Sequence, residues 1–239
     1  MDKFACVTGT DRGIGFELAR QLLLEGYIVF AGHYLKESHQ LKTIKEEFQE
    51  SLHLVNLDIS DGLSVKQGYE YIAGITDTLD ILINNGAILG DIEADIFEDL
   101  DFNEMEKVFN VNTLGALRMT NALIPLIMNS NTKLIVNISS EASSIKDCNR
   151  KSWFSYCMSK CALNMQSAII HNTIKEQGGQ VLIIHPGWVQ TYMQGKLDEK
   201  AELTPQVSAE HISKVIYEYK KYKGDKPVFV DYSGKIMEW

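Results

Sequence analysis

The residues Tyr156-Cys157-Met158-Ser159-Lys160 put a phenol and an ammonium one helical turn apart. They lie inside a stretch, residues 152–177, that reads as one long helix. A fixed positive charge beside a phenol favours the phenolate and lowers its pKa. A phenol tuned in this way can give or take a proton at working pH. Taken alone, the spacing more often marks a solvated helix face than a site. Its weight depends on what the other elements bring to the same place.

Those elements alternate. Lys3–Thr8 reads as a short buried strand and runs into Gly9-Thr10-Asp11-Arg12-Gly13-Ile14-Gly15. Residues 16–25 then show helical periodicity, with Leu18, Ala19, Leu22 and Leu23 on one side and Gly26 as the stop. Residues 27–31 form a second strand. The glycines thus occupy a strand-to-helix turn inside a βαβ unit. There the backbone can approach a ligand, and the amides and dipole at the helix start suit a pyrophosphate. The spacing is GxxxGxG rather than GxGxxG, so the strand and helix around it carry the reading.

The same period continues to the end of the chain. Helices are expected at 40–50, 61–75, 103–125, 152–177 and 208–222, and strands at 52–57, 79–84, 133–137, 181–185 and 228–231. Apolar strands alternating with helices predict an α/β fold: one Rossmann domain over residues 1–239, a doubly wound seven-stranded parallel sheet with helices on both faces. In such sheets ligands bind beyond the carboxyl ends of the strands. Gly9 to Gly15, Asp58 with Ile59, Asn84-Asn85-Gly86-Ala87, Ser139-Ser140 and Pro186-Gly187-Trp188-Val189-Gln190-Thr191 all follow strand ends, so they should converge on one edge.

Composition narrows the class. The 239 residues are 45% hydrophobic with a formal net charge of −9, enough for a sizeable core and opposed to nucleic-acid binding. The first three residues run straight into an apolar strand, so no signal peptide is expected, and no apolar run has the length of a membrane span. Four cysteines, Cys6, Cys148, Cys157 and Cys161, show no CxxC and no metal spacing. Reduced thiols, a cytoplasmic location and no metal are the expectations.

With Thr8-Gly9-x-x-x-Gly13-Ile14-Gly15, Asn112, Ser140, Tyr156, Lys160 and Pro186-Gly187 in this order, the chain resembles a single-domain short-chain dehydrogenase/reductase along essentially its whole length. Phe109 to Gly115, Tyr156 to Lys160 and the ending Asp231 to Trp239 are most similar to the C-factor/sniffer-like carbonyl reductases. The resemblance implies reduction of a ketone, aldehyde or quinone by hydride from a nicotinamide cofactor. It implies Tyr156 as general acid, Lys160 lowering its pKa and holding the ribose, Ser140 orienting the carbonyl, and Asn112 holding a water in a proton relay. Ser139 is the rival to Ser140. Cofactor contacts are expected from Gly9, Arg12, Gly13, Ile14, Gly15, His33, Asp58, Ile59, Asn84, Asn85, Gly86, Tyr156, Lys160, Pro186, Gly187, Val189 and Thr191.

The second strand ends Phe30-Ala31-Gly32-His33-Tyr34 with no acid to hold a ribose 2′-OH, and Arg12 precedes Gly13. This favours NADPH over NADH, with Arg12 and His33 near the 2′-phosphate. One departure stands out: the family usually has Asn-Asn-Ala-Gly where this chain has Asn84-Asn85-Gly86-Ala87, which puts the local turn in question. Residues 190–207, the least regular stretch near the site, are expected to form a substrate lid. Relatives pair into dimers or tetramers through the helices near 103–125 and 152–177. Two further readings compete: a non-catalytic nucleotide-binding signalling protein of C-factor type, and a sugar-nucleotide epimerase, for which the chain looks too short.

Overall fold

The computed structural model describes residues 2–35 and 38–239. Seven strands carry the architecture: β1 (Lys3–Thr8), β2 (Tyr27–His33), β3 (Leu52–Asn56), β4 (Ile81–Asn84), β5 (Leu134–Ile138), β6 (Gln180–His185) and β7 (Val228–Asp231). All pair in parallel, in the order β3-β2-β1-β4-β5-β6-β7. The order reverses between β1 and β4, which opens a crevice at the strand carboxyl ends.

Alternation along each strand divides the core. Ala5 and Val7 of β1, Leu134, Val136 and Ile138 of β5, and Leu182 and Ile184 of β6 face one side. They pack there on Leu18 and Leu22 of α1 (Gly13–Leu24), Leu41 and Ile44 of α2 (His39–Phe48), and Ile212 and Ile216 of α7 (Pro205–Tyr217). Cys6, Ile135, Val181 and Ile183 face the other side. Their partners are Val65 and Ile72 of α3 (Gly62–Ala73), Met119, Leu123 and Ile127 of α5 (Ala116–Asn129), and Ile174 of α6 (Phe154–Ile174). Each Val, Leu, Ile or Met side chain so removed from water contributes about 1.5–3 kcal/mol.

Helix starts follow side-chain caps. Ser38 accepts from the Leu41 amide, Asp61 from Leu63 and Ser64, and Thr204 from Val207. The start of α1 differs, because its cap residue Arg12 offers no side-chain acceptor.

The expected helix at 103–125 is three pieces. After α4 (Phe102–Phe109), residues Asn110–Gly115 form a π-helical turn, and α5 then runs through Pro125 to Asn129. Proline inside α5 does not stop it, because packing of Leu123, Leu126 and Ile127 into the core outweighs one lost backbone bond. The last helix begins at Pro205 rather than 208, since proline suits the first helical position. Residues 205–207 therefore belong to α7 and not to the irregular stretch before it.

Candidate active site

The turn after β1 needs its glycines. Gly9 has φ +69°, and a Cβ there would lie 2.7 Å from the Gly86 Cα. A Cβ on Gly15 would collide with the Gly9 carbonyl oxygen and the Asn85 amide nitrogen. Thr8 holds the neighbouring loop in place, its Oγ1 accepting from the Asn85 and Gly86 amides at 3.0 Å each. The Asn85 Nδ2 donates to the Thr8 and Gly9 carbonyls. Gly86 itself is not left-handed, and a methyl there would meet Ile59 Cδ1 at 3.1 Å. The exchanged order Gly86-Ala87 is thus a turn that either small residue can make.

A cavity of about 940 Å³ runs along the strand carboxyl ends. It is lined at one end by Gly9, Arg12, Gly13, Ile14 and Gly15, in the middle by Asp58, Ile59, Asn85 and Gly86, and at the other end by Ser140, Tyr156, Lys160, Pro186, Gly187, Val189 and Thr191. Segments spread over most of the chain meet there. The close approach at Gly9 and Gly15, with the uncapped start of α1, fits the pyrophosphate of a dinucleotide.

Three expected site residues, the cofactor contacts Asn84 and His33 and the relay residue Asn112, do not line this cavity. Asn84 lies beneath it, buried, its Nδ2 donating to Asn137 Oδ1 at 2.8 Å and Thr120 Oγ1 at 3.1 Å. It ties β4 to β5 and α5 and has no free group for a ligand on the donor side. His33 closes β2 with its Nδ1 3.0 Å from the Leu35 carbonyl, off the cavity wall. Asn112, in the π-helical turn, is 1% exposed; its Oδ1 accepts from the Ile88 amide, and its Nδ2 donates to the Ile88 carbonyl and to Ser159 Oγ. That side chain is wholly spent on fastening the loop after β4 to α6.

Ser139 and Ser140 are separated by their partners. The Ser139 hydroxyl donates to Asn164 Oδ1 at 2.7 Å, and Asn164 Nδ2 donates to Ser143, whose own hydroxyl donates to the Ser140 carbonyl at 2.6 Å. This buried ring clamps the turn that presents the Ser140 hydroxyl toward Tyr156. Lys160, 3% exposed, donates through Nζ to the Ile138 carbonyl at 2.8 Å and sits 5.7 Å from the Tyr156 ring centroid.

The electrostatics differ from the sequence-based expectation. Burial pushes the Tyr156 phenol up to about 12, against a hydrogen bond with Ser140 that pulls it back. Burial also brings Lys160 down to about 8. Desolvation is the largest cause of both shifts and disfavours both charged forms. The fold alone therefore presents a protonated phenol, ready as an acid, rather than a phenolate.

Several lining residues had no mark in the sequence. The Asp11 carboxylate accepts from the Tyr34 and Leu35 amides and shapes the loop after β2. Glu17 is 4% exposed, with one oxygen held by Gln206 Nε2 at 2.8 Å and the other without a partner. His185 ends β6 on the cavity wall. From 190 to 204 the chain folds back on itself: Gln190 donates to the Leu203 carbonyl, Trp188 Nε1 to Asp198, and Arg12 stacks on Tyr192 at 5.2 Å.

A parallel sheet with a phosphate-suited turn at one end of its crevice, and a Ser, Tyr and Lys at the other, defines a dinucleotide-dependent oxidoreductase. The comparisons agree. The sequence model of the short chain dehydrogenase family matches residues 3–202, and the chain belongs to that family. It is 30% identical to C-signal of Myxococcus xanthus over 164 residues, covering 69% of this chain and 95% of that one. The NADPH-bound carbonyl reductase from chicken fatty liver superposes with a TM-score of 0.88 at 28% identity, covering 100% of this chain and 94% of that one. Carbonyl reductase Sniffer of D. melanogaster shares the fold, with a TM-score of 0.88 at 23% identity over the full length of both chains. The protein is an NAD(P)-dependent oxidoreductase. Among the described residues no helix is long and apolar enough to cross a membrane.

Proposed function

We propose that the chain reduces a small carbonyl compound, a ketone, aldehyde or quinone, with NADPH. The observation that carries this reading is the meeting of Ser140, Tyr156 and Lys160 on one wall of a cavity whose far end is the glycine turn with Arg12. A nicotinamide cofactor, when bound, supplies the hydride. The Ser140 and Tyr156 hydroxyls both donate to the substrate carbonyl oxygen and polarise it. Tyr156 passes its proton to that oxygen as the carbon is reduced. Its raised pKa keeps the proton available at neutral pH. Lys160 spends one N–H on Ile138 and has two left for a ribose hydroxyl and for the field at the phenol. Asn112, its side chain committed, can serve a relay water only through the main chain of the π-helical turn. Arg12 meets the 2′-phosphate, an assignment supported by the lack of an acid at the end of β2 and by the NADPH bound in the chicken relative. Residues 190–204 cover the substrate end.

The test is oxidation of NADPH and NADH, side by side, against a panel of aldehydes, ketones and quinones. Turnover with NADPH supports the reading. Turnover with NADH alone would keep the enzyme and discard the role given to Arg12. A protein that binds NADPH but consumes it with no member of the panel would favour the non-catalytic signalling alternative.

A further inference from the structure

His185 sits at the carboxyl end of β6, beside the turn that presents Ser140. Its Nδ1 accepts from the Glu141 amide at 3.2 Å. A backbone N–H can only donate, so Nδ1 carries no proton, and the neutral ring must hold its hydrogen on Nε2. Burial lowers the pKa of this imidazole, with Arg150 acting in the same sense and Glu141 and Asp231 opposing, so the neutral tautomer prevails near pH 7. Nε2 has no hydrogen-bond partner among the described residues, yet it is not one of the sealed orphan atoms, which are Glu17 Oε2, Asn84 Oδ1, Gln166 Nε2 and Gln180 Oε1. His185 lines the cavity together with Ser140, Tyr156 and Trp188. A donor with no partner among the described residues thus belongs to a residue that lines the same cavity as Ser140 and Tyr156.

We propose that His185 determines specificity by donating through Nε2 to a second oxygen on the substrate, so that the pocket favours dicarbonyls and hydroxyketones over simple monocarbonyls. The Glu141 amide sets the tautomer, and the ring edge opposite that amide meets the ligand. A substrate without the second oxygen leaves this donor unpaired as it is desolvated, which costs affinity. The inference rests on the reductase reading and adds a substrate class to it.

The experiment compares benzil, a diketone, with deoxybenzoin, in which one carbonyl is a methylene. The proteins are the wild type, His185→Leu and His185→Gln, with NADPH as reductant. Taking the ratio of variant to wild type within each substrate removes the difference in intrinsic reactivity. His185→Leu is expected to lower kcat/KM for benzil about tenfold and to leave deoxybenzoin within about twofold. Glutamine has one acceptor and one donor end, so His185→Gln is expected to recover much of the benzil rate. NADPH affinity, measured by fluorescence, checks that the variants are folded. An equal loss on both substrates would make His185 a prop for the Ser140 turn and overturn the proposal, as would no loss on either. Wild-type protein that oxidises NADPH with no carbonyl at all would overturn the reductase reading, and this inference with it.

Discussion

The Lys160 ammonium donates to the Ile138 carbonyl at 2.8 Å in a site that leaves it 3% exposed, so its position is set by the end of β5 as much as by its own helix. The charge is held on the cavity wall beside Tyr156 at the cost of desolvation. The pKa directions that result give a sharp expectation for pH.

Lys160 is depressed to about 8 and Tyr156 raised to about 12. Above pH 8 the lysine is therefore neutral in the free protein while the phenol keeps its proton. Carbonyl reduction should lose kcat/KM with a limb near pH 8, since that parameter reports the free enzyme. The tyrosinate absorbance that disappears in Tyr156→Phe should develop only well above pH 10. For stability the sign is that of a depressed group: the contribution of Lys160 is present above its unfolded value of 10.5 and is lost as pH falls through about 8. A rate that stays flat to pH 10, or a Tyr156 that ionises near 8, would show the two shifts assigned the wrong way.

Gly15 and Gly86 should respond differently to the same methyl. At Gly15 the methyl strikes the Gly9 carbonyl, which cannot move without opening the turn. Gly15→Ala should cost about 1–3 kcal/mol and most of the NADPH affinity. At Gly86 the neighbour is the Ile59 side chain, which can give by a few tenths of an ångström. Gly86→Ala should change stability by less than about 1 kcal/mol. Thermal unfolding of the two variants decides it, and equal damage would refute the account of this loop.

Arg12 precedes the uncapped start of α1 and stacks on Tyr192. Its charge should be worth more to NADPH than to NADH. Arg12→Ser is expected to weaken NADPH binding about tenfold or more, the loss of a charged hydrogen bond, while NADH binding changes little. Calorimetric titration of both cofactors is the check. Parallel losses would place Arg12 at the pyrophosphate instead.

Glu17 carries an unpartnered buried oxygen, and burial raises its pKa, opposed by Arg20 and by the Gln206 hydrogen bond and aided by Glu210. A raised carboxyl contributes stability below its unfolded pKa of 4.5 and loses it as pH climbs through the folded value. Glu17→Gln keeps an oxygen for Gln206 and removes the charge. Its melting temperature should exceed that of the wild type at pH 7, and the gap should close below pH 4.5. A variant less stable at pH 7 would mean that the charge has a partner after all.

The fold was legible because β-strands and helices alternate with their own periods, and the strand-end rule gathers distant loops onto one edge. Boundaries at proline and in the π-helical turn were less so. One extra residue per turn at Asn110–Gly115 leaves the apolar pattern on either side intact, and Pro125 is tolerated by packing that no local signal announces. In the site, Ser140, Tyr156 and Lys160 were expected from the resemblance to a family pattern, and the fold brings all three onto one cavity. Asn84, expected at the cofactor, is buried beneath the cavity instead; a polar residue in an all-apolar strand, as at Asn84 and Asn137, is the mark of a buried hydrogen-bonded pair. His185 with Glu141 and Glu17 with Gln206 are separated by 44 and 189 residues, so only the folded chain brings each pair together.

The role proposed for Tyr156, proton donor in carbonyl reduction, is tested by NADPH oxidation by wild type and Tyr156→Phe with the best substrate of the panel, beside NADPH binding by both. The variant is expected to lose at least about a hundredfold in kcat and to bind NADPH within a few fold of wild type. Unchanged turnover by Tyr156→Phe would contradict it.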